Sequence, residues 1–379
     1  MEVHERGQRH RRWRGPQRDD VDAIRKGDSD GAVAGAEIDA VAHRSLLRNH
    51  RGTIHARYGR AIETADYDPF AAGKHLVGAR TVEAHDATRG RTFPVDIWNA
   101  TDREARPLIV FSHYSGGHRR VSSFLCTHLA SHGYTVAAMD HSEVVALELA
   151  RKDGESKAER SARIDAIIGN RVPDVRFLLD HLLAREDLEI DAERIGLAGH
   201  SLGGWTVLAT PEIDQRVRSV VAMAPGGSSN PRPGILPLEL TFAWGRDVPT
   251  LYLAGELDVS IPLDGVCELF DRTPGSKRMF VLRRADHQHF IDDVEVAHEA
   301  VRAATFPGEA AWIPAAMLPI PELSSGEQAH LFTRGLTLAH FDATLRGSDA
   351  ANRFLAADVE AKLAVRRVDM FVHRRVTAE

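Results

Sequence analysis

Gly199-His200-Ser201-Leu202-Gly203 sets a serine between two glycines in the G-x-S-x-G pattern, with a further glycine at 204. An apolar run, Ile195–Ala198, precedes it, and a helical pattern, Leu202–Ala209, follows. That context suits a nucleophile on a tight strand-to-helix turn. Glycines on either side remove the Cβ atoms that would collide across such a turn. The free N–H groups and dipole of the following helix then point at the serine oxygen. A serine hydroxyl is a weak nucleophile until a base takes its proton and a carboxylate orients the base. On a turn of this kind the partners follow in the order serine, acid, histidine. Asp258 lies beyond the apolar run Thr250–Ala254, 57 residues after Ser201, and Glu256 and Asp264 compete with it. His287 and His289 follow the next apolar run, Met279–Leu282, 29 and 31 residues past Asp258. His287 comes first after the strand and is read as the general base, with His289 as the alternative.

An oxyanion formed at Ser201 needs two N–H donors, one from the residue after the nucleophile and one from a loop after an early strand. The first is Leu202. The second comes from Ser112-His113-Tyr114-Ser115-Gly116-Gly117, directly after the run LIVFS. Ser115 is assigned, with Tyr114 as the competing neighbour. His113, His118 and His141 sit in loops near the same sites, where solvated or structural roles suit them. The His287-x-His289 pair with Asp292 and Asp293 has the residue types of a metal site, but no partner cluster occurs elsewhere. His298-Glu-Ala-Val-Arg302 lacks the last histidine of H-E-x-x-H. The reading is therefore no metal and no cofactor.

The elements that must hold these residues alternate. Thr81–His85 and Phe93–Trp98 read as a strand pair across the turn-like DATRGR, and Leu108–Ser112 as a buried strand. Val121–His132 is a helix and Tyr134–Met139 a strand. A long helical stretch, Lys157–Arg185, is expected to break near Pro173, which suits the first turn of a second helix. After the elbow come strands Val217–Met223, Thr250–Ala254 and Met279–Leu282, with helices at Leu263–Phe270 and Gly326–Leu345. Strands alternating with helices imply an α/β fold, a mostly parallel central sheet with an antiparallel N-terminal strand and helices on both faces.

Composition sets the class. The 379 residues are 43% hydrophobic and 27% charged, as in soluble globular proteins, with a formal net charge of −6. That acidity argues against nucleic acid as the main partner. Residues 1–60 nevertheless hold 13 Arg/Lys against 9 Asp/Glu, and residues 1–66 read as a basic, disordered extension with a short helix near Ala36–Leu47. Residues 67–379 form the folded domain. Two cysteines, Cys126 and Cys267, are too few for a disulfide framework or zinc cluster. No signal-like or membrane-spanning apolar run occurs, so a cytoplasmic location without integral membrane association is expected.

With these residues in place, 67–379 resemble an α/β hydrolase of the group containing dienelactone-hydrolase-like esterases and platelet-activating-factor acetylhydrolases. The likeness is densest in PLIVFSHYSGG, LASHGYTVAAMDH, RIGLAGHSLGG and DHQHF. It implies the α/β-hydrolase fold and serine esterase chemistry through Ser201, Asp258 and His287. Three departures stand out. Dienelactone hydrolases carry cysteine where this chain has Ser201. The acetylhydrolase oxyanion loop carries glycine where this one has Tyr114. The acetylhydrolases place their acid after the preceding strand, where this chain reads Ala224-Pro225-Gly226.

Substrate choice lies in the loops over the sheet edge. The insertion 226–246 carries Ile235, Leu236, Phe242 and Trp244; the insertion 306–323 carries Trp312, Met317 and Leu318. They either wall an acyl chain or pack against the core. Tyr114, His200, Trp244 and Trp312 are the candidate substrate contacts. The expected partner is a small or medium acyl ester, including lipid or phospholipid esters met through peripheral lipid contact. An amidase, peptidase or cutinase-like polyesterase would use the same triad, and a catalytically silent scaffold would use the fold for binding.

Overall fold

Every residue of Arg106–Ser112 is buried, and alternate side chains feed opposite layers: Leu108 and Val110 enter one apolar cluster, Ile109 and Phe111 the other. A strand buried on both faces belongs at the centre of a sheet covered by helices. The computed structural model, which describes residues 67–101, 104–306 and 308–374, builds that sheet. The expectations for residues 1–66 lie outside the described residues. The nine strands are β1 (Val77–Asp86), β2 (Arg91–Ala100), β3 (Arg106–Ser112), β4 (Thr135–Met139), β5 (Ile190–His200), β6 (Val217–Met223), β7 (Thr250–Gly255), β8 (Lys277–Leu282) and β9 (Met370–Val372). Their spatial order is β1-β2-β4-β3-β5-β6-β7-β8-β9. The inner strands β4, β3, β5, β6, β7 and β8 are mutually parallel. β1 and β2 pair antiparallel at one edge and β9 antiparallel at the other.

Helices cover both faces. Ser123–Ser131 and Gly326–Leu345 bury Leu125, Leu129, Phe332 and Phe341 on one side. Lys157–Leu183, Leu202–Ile213 and Leu263–Arg272 bury Leu178, Trp205 and Leu269 on the other. Helix starts carry sequence-coded caps. Ser156 with Glu159 and Ser325 with Gln328 form capping boxes. Ser123–Ser131 is capped instead from a distant segment: its Ser123 and Phe124 N–H groups donate to the Asp292 carboxylate at 3.0 Å.

The break expected at Pro173 does not occur. Lys157–Leu183 runs through it as one helix. The missing N–H of Pro173 costs one bond to residue 169, a glycine, while Arg171, Val172, Asp174, Val175, Leu178, Leu179 and Leu182 bury a continuous face. Packing over several turns outweighs a single lost hydrogen bond.

Candidate active site

Ser201 sits between the end of β5 and the helix Leu202–Ile213 at φ 59° and ψ −116°, a conformation costly for a residue with a Cβ. Its surroundings hold it there. The Ser201 N–H donates to the Met223 carbonyl at 2.9 Å, and the Ser201 carbonyl accepts from Trp205 at 3.0 Å and Gly226 at 3.3 Å. The flanking glycines make the approach feasible. A Cβ on Gly199 would stand 2.3 Å from the Gly203 oxygen, and one on Gly203 would stand 2.0 Å from the Ser112 oxygen. On Gly204 it would lie 2.9 Å from Pro225 Cα.

Asp258 and His287 leave the carboxyl ends of β7 and β8, and backbone bonds fix one loop against the other. The Leu257 N–H donates to the Ala285 carbonyl at 2.8 Å, and the Glu256 N–H to that of Leu282 at 2.9 Å. The structure brings the three side chains into one line: His287 Nε2 lies 2.8 Å from Ser201 Oγ, and His287 Nδ1 lies 2.7 Å from Asp258 Oδ2. The other carboxylate oxygen accepts from the Ser260 and Ile261 N–H groups at 2.9 and 2.8 Å. Asp258 is thus aimed through Oδ2, and this orientation sets the imidazole with Nδ1–H on the acid and Nε2 free to accept from serine. Burial alone would lower the His287 pKa; the Asp258 charge and hydrogen bond outweigh it and leave the imidazole above its ordinary value.

The competing residues are occupied elsewhere. Glu256 pairs with Arg283 at 2.9 Å, and Asp264 accepts from the Gly265 N–H of its own helix. His289 turns away into a buried cluster. Its Nδ1 faces Asp286 Oδ1 at 2.9 Å and its Nε2 the Ser324 carbonyl at 2.9 Å. Asp286 Oδ2 lies 2.6 Å from His298 Nδ1, and His298 Nε2 is 2.9 Å from the Leu318 carbonyl. Burial pushes the Asp286 carboxyl up, but the two histidines pull it well below the usual carboxylate range; burial in turn would lower His298, and the Asp286 carboxylate holds it above its ordinary value. This cluster fastens the base loop to the helix Val294–Ala303 and the segment beyond it. The signal in the sequence was the repeated histidine beside Asp286, read there as an alternative base.

Both assigned N–H donors sit at this edge. Leu202 occupies the first helical position, where the N–H has no intrahelical acceptor. Ser115 is exposed in the loop after β3, and its N–H meets no acceptor among the described residues. Of the four candidate substrate contacts, the structure sets His200 against the triad histidine and leaves the ring of Tyr114 half-buried beside His200. The His200 ring lies 4.7 Å from that of His287, with Tyr114 at 5.7 Å from His200. His200 is itself corrected as a substrate contact, because it is 1% exposed and packs behind His287; burial, reinforced by the neighbouring His287, pushes its pKa well below the ordinary value. Trp244 is corrected likewise, whereas Trp312 stays half-buried between the two insertions. Trp244 is 5% exposed, donates its indole N–H to the Leu208 carbonyl and packs on Phe242, because the insertion folds back under the elbow helix. Trp312 donates to the Pro233 carbonyl with Arg232 against its ring, tying the two insertions together.

A serine on a strained β5 elbow, an acid after β7 and a histidine after β8 of a mostly parallel sheet are the arrangement of the α/β-hydrolase fold, and the chain has that fold. Within it, residues 87–167 match the family model of platelet-activating factor acetylhydrolase, isoform II. The platelet-activating factor acetylhydrolase of Bos taurus is 29% identical over 240 residues, 52% of this chain and 50% of the relative. That of Cavia porcellus is 26% identical over 235 residues, 52% of this chain and 51% of the relative. The chain therefore spans about half the length of the curated relatives it matches. Among solved structures, a ferulic acid esterase from Streptomyces cinnamoneus superposes with a TM-score of 0.55 at 24% identity, covering 75% of this chain and 93% of that one. Among the described residues no helix is long and apolar enough to cross a membrane.

Proposed function

We propose that the protein is a serine carboxylic-ester hydrolase working through an acyl-enzyme. The observation that carries this reading is the line Asp258–His287–Ser201, with contacts of 2.7 and 2.8 Å. His287 Nε2 takes the Ser201 proton as Oγ bonds to the ester carbonyl carbon, and Asp258 stabilises the imidazolium. The Leu202 and Ser115 N–H groups receive the tetrahedral oxyanion. On collapse the alcohol leaves with the proton from His287. Water then gives a proton to His287, its oxygen attacks the acyl carbon, and the acid leaves as Ser201 regains its proton.

The substrate in this reading is a small or medium acyl ester, acetylhydrolase-like on lipid or phospholipid esters. Support comes from the acetylhydrolase relatives and from the esterase among the structural neighbours. A cytoplasmic setting goes with it, supported by the two free thiols Cys126 and Cys267. The test is hydrolysis of p-nitrophenyl esters from acetate to dodecanoate by wild type and Ser201→Ala. Turnover confined to wild type supports the serine esterase, and its chain-length profile sizes the acyl pocket. Activity surviving in the variant overturns Ser201, and a wild type inert toward every ester overturns the reaction class.

A further inference from the structure

Behind the loop after β3 lies a second serine–histidine–aspartate chain that the proposed reaction does not use. Ser112 Oγ is 2.8 Å from His141 Nε2, and His141 Nδ1 is 3.2 Å from Asp174 Oδ2. All three residues are at most 1% exposed, so no substrate reaches them. Beside them Arg171 is fully buried, its charge met by Glu143 and its guanidinium turned to main-chain oxygens. Nη1 donates to the His113 carbonyl at 2.7 Å and Nη2 to the Tyr114 carbonyl at 3.2 Å.

The Tyr114 carbonyl collects three donors. Besides Arg171 it faces His113 Nδ1 at 2.7 Å and accepts from the Gly117 N–H at 3.0 Å. His113 has its tautomer fixed for this, since its Nε2 accepts from the His141 N–H at 3.2 Å. The carbonyl belongs to the peptide unit whose other end is the Ser115 N–H. In a trans peptide the two groups point in opposite directions, so anchoring the oxygen inward on Arg171 directs the N–H outward to the exposed edge. Drawing charge from the oxygen also strengthens the N–H as a donor, since linked hydrogen bonds polarise one another. The loop abuts the elbow, because a Cβ on Gly203 would touch the Ser112 and His113 carbonyls.

We infer that Arg171 is a positioning residue of the oxyanion hole, holding and polarising the Tyr114–Ser115 peptide so that the Ser115 N–H meets developing negative charge. This rests on the serine-esterase reading. A buried cation spent on two loop carbonyls has a large desolvation cost that a plain turn would not require.

The test compares wild type, Arg171→Lys and Arg171→Met on p-nitrophenyl butyrate and on an aryl trifluoromethyl ketone. The ketone adds to Ser201 and places an alkoxide where the oxyanion would sit. For the folded Met variant kcat falls about tenfold to a hundredfold, short of the ~10²–10³ for deleting an oxyanion donor outright. KM stays within about twofold of wild type, as for an interaction made only in the transition state. Ketone affinity drops in proportion to kcat/KM, Lys falls between, and the acid limb of the pH profile stays in place. A folded Met variant with unchanged ketone affinity, or a loss confined to KM, overturns the assignment. Where Arg171→Met does not fold, the same question goes to Arg171→Gln, whose amide N–H can still donate to a loop carbonyl, and Arg171→Leu, which cannot. Ketone affinity kept better by Gln than by Leu supports the inference, and equal losses refute it. A wild type inert to esters and ketone sinks the esterase reading together with this one, whereas an active wild type with an indifferent Arg171 sinks this one alone.

Discussion

Gly203→Ala isolates what the elbow's close approach does for catalysis. The new methyl carbon would lie 2.0 Å from the Ser112 oxygen, 2.5 Å from its carbonyl carbon and 2.7 Å from the His113 oxygen. All three are backbone atoms, so no rotamer change relieves them. Restoring ordinary contact at about 3.4 Å requires the helix Leu202–Ile213 and the end of β3 to separate by roughly 1–1.5 Å. Leu202 rides on the first and the Ser115 loop on the second, so the same gap opens between the two proposed oxyanion donors. Such donors work only at about 2.7–3.1 Å, and losing one costs ~10²–10³ in kcat. Overpacking adds about 1–3 kcal/mol of destabilisation.

The assay is kcat and KM on p-nitrophenyl butyrate, with the folded fraction fixed by thermal melting. The expected result is a kcat loss of about two orders of magnitude at temperatures where the variant is fully folded. Gly204→Ala falls less, because its nearest conflict is Pro225 Cα at 2.9 Å. Gly169→Ala, with no atom outside its own helix backbone within 4 Å, leaves activity unchanged. A folded Gly203→Ala enzyme with wild-type kcat would refute the argument that the glycine sets the donor spacing.

Two further outcomes follow from the ionisable groups. The base must be neutral to accept the serine proton, and the His287 pKa is raised, so the acid limb of kcat/KM lies above about 6.5. Asp258→Asn shifts that limb downward and lowers kcat by about 10³–10⁴; a wild-type limb at or below 6.5 contradicts the pairing. The Asp286–His298 pair acts on stability instead. A depressed carboxylate contributes above its unfolded pKa of about 3.9 and loses its contribution as pH falls through the lower folded value. A raised histidine contributes below about 6.5 and loses its contribution as pH rises through the higher folded value. Thermal stability is therefore greatest between about pH 4 and 6.5 as far as this pair governs it. Asp286→Asn costs about 3–5 kcal/mol there by leaving buried charge unpaired; calorimetry across pH that shows no difference from wild type removes the pair from the account.

The parts legible in the sequence are those with local periodicity. Val217–Met223 and Gly326–Leu345 have the observed bounds, and the other inner strands differ only at their ends, because buried strands and capped helices write themselves into neighbouring residues. The site was legible for a related reason: its three side chains each follow an apolar run, so strand order brought them to one edge. What escaped was decided by distant packing. β9 is three residues long and exists by pairing with β8. Trp244 looked available because an aromatic residue in a Pro- and Gly-rich insertion has no periodicity to reveal its partners. Arg171 is one of 42 arginines, and the groups it touches come from residues 112–114 and 143, a juxtaposition that no spacing along the chain records.

The position of the acid has a packing explanation of its own. The segment after β6 serves as a buttress for the elbow: Met223 accepts the Ser201 N–H, Gly226 donates to the Ser201 carbonyl, and Pro225 lies where a Cβ on Gly204 would be. Ala224 between them has φ 40°, is 1% exposed and donates its N–H to Leu253 on β7. Its side chain faces the apolar layer with Met223, Leu253 and Phe290. A carboxylate there would be buried without a partner, at a cost larger than most single substitutions. One strand further on, the loop after β7 is zipped to the loop after β8 through Leu257 and Ala285, and two backbone N–H groups already await one carboxylate oxygen at Asp258. The same contacts that steady Ser201 thus exclude an acid after β6, and the contacts that steady His287 supply a place for it after β7.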